Sequence, residues 1–381
     1  MASTPYNLRA IGDSSVRNLI QNGNFDFWQR GITFTASAAN YNLRTADRFN
    51  IGKDTTPSAV VITQSSDIPT VAQSGFQSRY SYLVTNNVTG NTPGAGDGLF
   101  ISTRLEGQDY QPLHTKKVRL QFWVKSSVTG TYSFLLTNKI PGATMRIYAT
   151  TYTVNSPNTW EKKTIDVTMD NTGVWNFDNT LGLQLLWGLT GGASVLTSTL
   201  NSWHTASNIE GATGQVNWTG TSSSTFQLAQ VMLIPGTFES NTSVPFQRAG
   251  RTIQQELAMC QRYYEKSYAV DVTPGTVGNP GAIFYPFDTA SLTRVFHAGL
   301  ASSFKVPKRA GTSNIKFYSE DGTNAGTFGT VSAYNSTGTK INVSSMSSSI
   351  TSGFGNSFIT LASAATSGQV YIADWTVDAE L

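Results

Sequence analysis

The sequence predicts an all-β protein: a large N-terminal β-sandwich, a short linker helix and a smaller C-terminal β-sandwich. Three observations carry that prediction. Apolar and polar residues alternate along many short segments, the period of a half-buried strand. Turn residues punctuate those segments at short intervals, as an antiparallel sandwich requires. Only one segment combines a helical stripe with a start signal. Composition agrees, because 39% of the 381 residues are apolar and 11% aromatic, enough to fill cores and to rule out disorder.

Residues 1–20 are polar with scattered Leu and Ile and read as an extended anchoring arm. Residues 21–248 read as the first domain. There Val118, Leu120, Phe122 and Val124 share one face of a strand, and Arg119, Gln121, Trp123 and Lys125 share the other. The same period runs through Tyr132, Phe134 and Leu136, then Ile165, Val167 and Met169, then Leu181, Leu183, Leu185, Trp187 and Leu189. Asn91-Thr-Pro-Gly94, Thr129-Gly130 and Pro141-Gly142 supply turns. From Phe226 to Ile234 the apolar phase slips after Leu228 and resumes at Val231, which predicts a β-bulge near Ala229-Gln230.

Residues 250–268 hold the linker helix. Thr252-Ile-Gln-Gln255 is a capping box, in which hydroxyl and amide satisfy two orphan backbone donors. Ile253, Leu257, Cys260 and Tyr264 follow at i, i+4, i+7 and i+11, predicting a helix to about Lys266 whose stripe serves a domain junction or an oligomer contact. Residues 269–381 are again β-like, with strands expected at Ile315 and Phe317, from Phe354 to Leu361 and from Tyr371 to Val377. The polar stretch Ser344 to Ser352 reads as a loop between strands.

Several function classes are excluded. Charged residues are 13% of the chain, against about 25% in an average domain, and the net charge of +3 is too thin for a nucleic-acid footprint. No apolar run approaches the ~18 residues of a membrane helix, so no membrane insertion is expected. Cys260 is the sole cysteine, which forbids an internal disulfide or a multi-Cys zinc site and suits folding in a reducing cytoplasm. The opening Met1 to Ser15 has no apolar core and is expected not to be a signal peptide.

No catalytic or cofactor motif stands out. His114, His204 and His297 lie far apart without a ligating neighbour, so no metal and no cofactor are expected. Gly94-Ala-Gly-Asp-Gly98 has no helix after it to present amides to a phosphate and reads as a loop. Glu106 and Asp109 are the best acid pair for glycoside cleavage, which needs two carboxyls flanking the bond. A surface strand-turn, or Arg104 pairing with Glu106, gives the same spacing, so no enzyme is expected.

Aromatic residues are the informative surplus. A sugar's C–H face stacks on an exposed ring while amide or charged neighbours bond its hydroxyls. Trp123 is the leading glycan-binding candidate because it shares its strand face with Arg119, Gln121 and Lys125. Tyr148 and Tyr152 come second, since even spacing puts both on one face of a strand through 145–154. Trp28, Trp160 and Trp187 are assigned to the core.

Specific stretches carry a resemblance. Asn18-Leu-Ile-Gln-Asn-Gly-Asn-Phe-Asp-Phe-Trp-Gln-Arg-Gly31, followed by Thr45-Ala-Asp-Arg-Phe49, resembles the opening of a family of tailed-bacteriophage virion proteins. Leu120-Gln-Phe-Trp-Val-Lys-Ser-Ser127 and Asn158-Thr-Trp-Glu-Lys-Lys-Thr164 are similar to its middle strands. Gly211 to Trp218, Phe226 to Pro245, Glu256 to Glu265 and the ending Trp375 to Leu381 are similar to its later segments.

The resemblance implies that the first domain is a jelly roll like a carbohydrate-binding module. It implies a tail-fibre or adhesin subunit that binds host-surface glycan, or alternatively a capsid-decorating or head-fibre protein with a purely structural role. It further implies assembly in the bacterial host cytoplasm, release by lysis and residence in the virion. The partners implied are other virion proteins, docked through the N-terminal arm, and copies of the same chain, a trimer before other states. Modules of this type often hold a structural calcium through acids near the first and last strands. Here the last strand, Phe226 to Ile234, has no acid, and Asp26 stands alone on the first.

Overall fold

The computed structural model describes residues 17–53, 59–87, 90–139, 145–239, 244–277, 283–286, 304–310, 314–318, 331–334, 340–343, 346–350, 357–361 and 370–381. Residues 1–16 of the expected arm lie outside these, as do the Pro141-Gly142 turn and His297. The chain divides into two compact units. The first takes the chain through Asp26, resumes at Thr33 and runs to Glu256; the second holds Phe27–Ile32 and Leu257–Glu380.

The first unit is a sandwich of two antiparallel sheets. Its strands are β1 (Thr33–Ala36), β2 (Asn40–Arg44), β3 (Phe49–Lys53), β4 (Val60–Ser65), β5 (Ser81–Asn86), β6 (Gly98–Glu106), β7 (Lys117–Ser126), β8 (Gly130–Thr137), β9 (Met145–Val154), β10 (Glu161–Thr168), β11 (Leu181–Gly191), β12 (Leu196–Thr197), β13 (Trp203–Ala206), β14 (Gly211–Ala212) and β15 (Thr225–Pro235). One sheet runs β1-β4-β5-β15-β7-β10 and the other β13-β9-β8-β11-β6-β3-β2. Consecutive strands repeatedly change sheet, as β6 and β7 do, which is the crossing pattern of a jelly roll.

Alternation along each strand decides what lies between the sheets. Val118, Leu120, Phe122 and Val124 are buried, and so are Tyr132, Phe134 and Leu136 opposite. Trp187 sits at the centre, its ring 5.8 Å from Phe122 of one sheet and 5.2 Å from Phe134 of the other.

The predicted bulge is present and has a use. The register of β15 against β7 shifts between Ala229 and Met232, and Gln230 takes a left-handed backbone with φ 51°. Turned out of the ladder, Gln230 Nε2 donates to Ser74 Oγ at 3.0 Å and Ser78 Oγ at 2.9 Å. Val231 N donates to Gly23 O at 2.8 Å, and a Cβ on Gly23 would lie 2.1 Å from Val231 O, so only glycine allows the approach. Asn18 Nδ2 donates to Val231 O and Gln247 O, while its Oδ1 accepts from Ile20 N and Leu233 N. Residues 18–20 are therefore buried in this unit rather than part of a free arm. Asp26 does not stand alone either, because Arg248 pairs with it at 2.9 Å.

The linker helix (Ile253–Gln261) begins with the predicted capping box: Thr252 N donates to Gln255 Oε1 at 3.3 Å and Gln255 N to Thr252 Oγ1 at 3.2 Å. It stops at Gln261, short of Lys266, because Tyr264–Lys266 leaves as a strand. Aromatic Tyr263 and Tyr264 suit a pleated surface better than a helix end. The stripe is corrected accordingly: Ile253 is 37% exposed, Leu257 half-buried and Cys260 buried, whereas Tyr264 is buried on the strand. The first-turn Glu256, off the stripe, is 1% exposed.

Glu256 closes the first unit. Its carboxylate accepts from Asn22 N and Gly250 N, each at 2.5 Å. Burial pushes its carboxyl above the ordinary glutamate value, partly offset by those two donors. Between the ordinary value and the raised one the folded chain holds a proton that the unfolded chain has lost. Stability is thus present below that window and falls as pH rises through it. The difference in unfolding free energy between wild type and Glu256→Gln should shift with pH across this window in urea titrations; a constant difference would contradict the assignment.

The second unit contains β16 (Tyr264–Lys266), β17 (Ile283–Pro286), β18 (Asn314–Tyr318), β19 (Val331–Tyr334), β20 (Lys340–Val343), β21 (Met346–Ile350), β22 (Ser357–Leu361) and β23 (Val370–Asp378). β23 is its hub, pairing with β16 over Thr376–Asp378, with β18 over Asp374–Asp378, with β17 over Val370–Ala373 and with β19 over Val370–Ile372. β21 pairs with β22, so the loop expected over Ser344 to Ser352 contains a strand. Phe27–Ile32, expected in the first domain, belongs here for a physical reason. Arg30 pairs with Asp378 at 2.9 Å and lies 3.8 Å from the Tyr264 ring, and Lys266 Nζ donates to Gln29 O at 2.8 Å.

Candidate functional site

The face of β7 expected to bind glycan is covered by the chain itself. Trp123 is 7% exposed and packs against Trp160 and Ala229, so it presents no open ring. Gln121 is buried, donating to Val244 O at 2.7 Å. Lys125 pairs with Asp67, which also accepts from Trp160 Nε1 at 3.1 Å and Gln227 Nε2 at 3.2 Å. Burial of Asp67 is outweighed by these donors, and its carboxyl is held below the usual range. The long polar side chains of this face are thus spent on internal partners, which a buried network must supply to be tolerated.

Tyr148 and Tyr152 do share a face of β9, but it turns inward. Tyr152 is buried between Phe122 at 5.2 Å and Tyr132 at 5.8 Å. Even spacing could not reveal this, because the opposite face, with Ile147 and Ala149, is apolar too and packs against Phe100, Leu135 and Leu186. Tyr148 lies at the lip of the sandwich, half-buried, 5.6 Å from Trp203.

An aromatic ridge grows from that lip. Trp203 meets Trp175 edge-on at 5.6 Å, Trp175 stacks on Tyr110 at 4.6 Å, and Tyr110 lies parallel to Phe177 at 6.2 Å. His114 closes on Phe177 at 5.3 Å, with Nδ1 3.2 Å from Tyr110 OH. Indole donors fix the ridge: Trp175 Nε1 bonds Thr172 O and Trp203 Nε1 bonds Thr168 O, both at 2.8 Å. Beneath it Arg146 pairs with the buried Asp170 at 2.5 Å. The inner rings are buried, but Phe177 is 41% and Val174 63% exposed.

Beside the ridge, where β7 and β10 pair, lies a cavity of about 210 Å³ bounded by Lys117, Asp166, Thr168, Thr237 and Phe238. Register sets Asp166 opposite Arg119 and Thr168 opposite Lys117. The fully buried Arg119 grips both Asp166 oxygens at 2.7 Å and lies 4.8 Å from the Phe238 ring. Asp166 remains 51% exposed, so its outer lone pairs face solvent. Lys117 Nζ has no partner among the described residues. Sequence reasoning missed this site because Phe238, just after β15, lies more than a hundred residues along the chain from β7, and only the fold brings them together.

The remaining acid pair is less suited to chemistry. Glu106 is buried at the end of β6, and Asp109 is in the single helical turn that follows it, Gly107–Tyr110. Among the described residues no three His, Cys, Asp or Glu are grouped to hold a metal.

No protein-family profile matches the chain, and no curated protein matches it. Solved structures with a similar fold include the carbohydrate-binding module TmCBM61 in complex with β-1,4-galactotriose (10% identity, TM-score 0.29, covering 58% of this chain and 99% of that one). A family 11 carbohydrate-binding module from Clostridium thermocellum with a mixed-linked tetrasaccharide is similar at 11% identity and TM-score 0.28, covering 55% and 98%. The enzymatically active domain of tailspike protein 4 from bacteriophage CBA120 is similar at 11% identity and TM-score 0.30. The likeness covers 57% of this chain but only 21% of that tailspike chain. Likenesses this distant assign the protein no ligand.

Proposed function

We propose that the first unit binds carbohydrate without cleaving it, in a bacteriophage virion protein that attaches to host-surface glycan as a tail-fibre or adhesin subunit. The cavity at Asp166 and Phe238 carries the binding half of this reading. Its volume of about 210 Å³ suits one sugar ring and is below the ~300–1,000 Å³ of drug-sized sites. Phe238, packed on Arg119 at 4.8 Å, lines the cavity as an apolar wall for C–H groups, and Asp166, locked by Arg119, accepts from adjacent hydroxyls. Lys117 and the hydroxyls of Thr168 and Thr237 donate in return. One carboxylate lines the cavity among the described residues, whereas glycoside cleavage uses two. The virion half is supported by the sequence resemblance of Asn18 to Gly31 and the later segments.

The test is binding to an array of bacterial surface polysaccharides and defined mono- to hexasaccharides. Wild-type protein is expected to retain a defined subset, and Phe238→Ala to weaken that binding by about 1–3 kcal/mol, the scale of one stacked ring. A variant that binds as tightly as wild type would exclude this cavity.

A further inference from the structure

Resting on the glycan reading of the cavity, we infer that the ligand is a chain of sugars, one unit in the cavity and its neighbours laid against the exposed edge of the aromatic ridge at Phe177 and Val174. Thr168 makes the two places continuous. It lines the cavity, and its carbonyl accepts from Trp203 Nε1 at 2.8 Å. On the other strand Lys117 lines the cavity and His114, three positions earlier, touches Phe177.

The ridge has the form such a ligand needs. Its inner rings are buried and anchored, Trp175 through its indole donor and Tyr110 by stacking, so little freedom is lost on binding. Its outer edge exposes Phe177 at 41% and Val174 at 63%. A polar acceptor fringes that edge: Asp178, next to Phe177, is exposed, and Thr180 donates to it, holding its carboxyl below the usual range. Rings flanked by hydroxyl-bonding groups match a sugar, apolar on its face and polar on its rim. A single sugar in the cavity leaves all of this unused.

The experiment is isothermal calorimetry with a monosaccharide retained on the array and its own trimer and hexamer. Wild type should gain about tenfold or more in affinity from monomer to oligomer, the scale of one added ring contact. Phe177→Ala should erase that gain yet keep the monomer affinity, and Trp203→Phe, which keeps a ring, should retain most of it. Circular dichroism confirms folding of both variants. Equal affinity for monomer and hexamer in wild type, or an undiminished gain in Phe177→Ala, overturns the inference while leaving the cavity intact. Absence of any bound sugar overturns the glycan reading itself. If Phe177→Ala instead turns an oligomer into monomers by light scattering, the ridge is a contact between copies and the inference fails.

Discussion

Trp187→Ala is expected to lower the unfolding free energy of the first unit by about 3–5 kcal/mol, read by urea unfolding followed by far-ultraviolet circular dichroism. Trp187 has no exposed surface, and rings from both sheets touch it: Phe122 from one, Phe134 and Phe49 from the other. Alanine leaves a void whose walls are strands fixed by their ladders, so the site has little means of collapse. The indole Nε1 has no hydrogen-bond partner among the described residues, so shape alone holds the ring. Trp187→Phe should therefore cost much less than alanine. A loss below about 1 kcal/mol for alanine would mean that the sheets do not meet across Trp187.

Asn18→Ala is expected to cost about 2–4 kcal/mol, because buried backbone groups are left unpaired. Asn18 is 1% exposed; its amide serves Ile20 O, Val231 O and Gln247 O, and its carbonyl serves Ile20 N and Leu233 N. Thermal unfolding of the variant should show the loss at neutral pH. A change under about 0.5 kcal/mol would make the Asn18 clasp incidental.

These two residues show how far the sequence was legible. The core around Trp187 followed from period-two alternation, and the bulge followed from a phase slip of one residue in β15. The capping box at Thr252 was equally plain, being purely local. The end of the linker helix was not, since Tyr264–Lys266 is drawn off by pairing with β23, more than a hundred residues away. Trp123 misled for a related reason: alternation shows that a residue leaves the inner face, and says nothing of Trp160 and Ala229, which pack on Trp123 there, or of Val244, whose carbonyl takes the Gln121 amide. The run from Asn18 to Asp26, part of the Asn18–Gly31 stretch that opens the resemblance, is occupied with closing the sandwich, so its residues report on fold rather than ligand. The cavity combines β7, β10 and the segment after β15, and no local pattern contains it.

Glycan binding at the cavity of Asp166 and Phe238 is tested most directly by a crystal structure of the chain soaked with a monosaccharide retained on the glycan array. The sugar is expected over the Phe238 ring with two hydroxyls within hydrogen-bond distance of Asp166 and the Lys117 ammonium nearby. A sugar ordered elsewhere on the first unit, with the cavity holding only water, would contradict it.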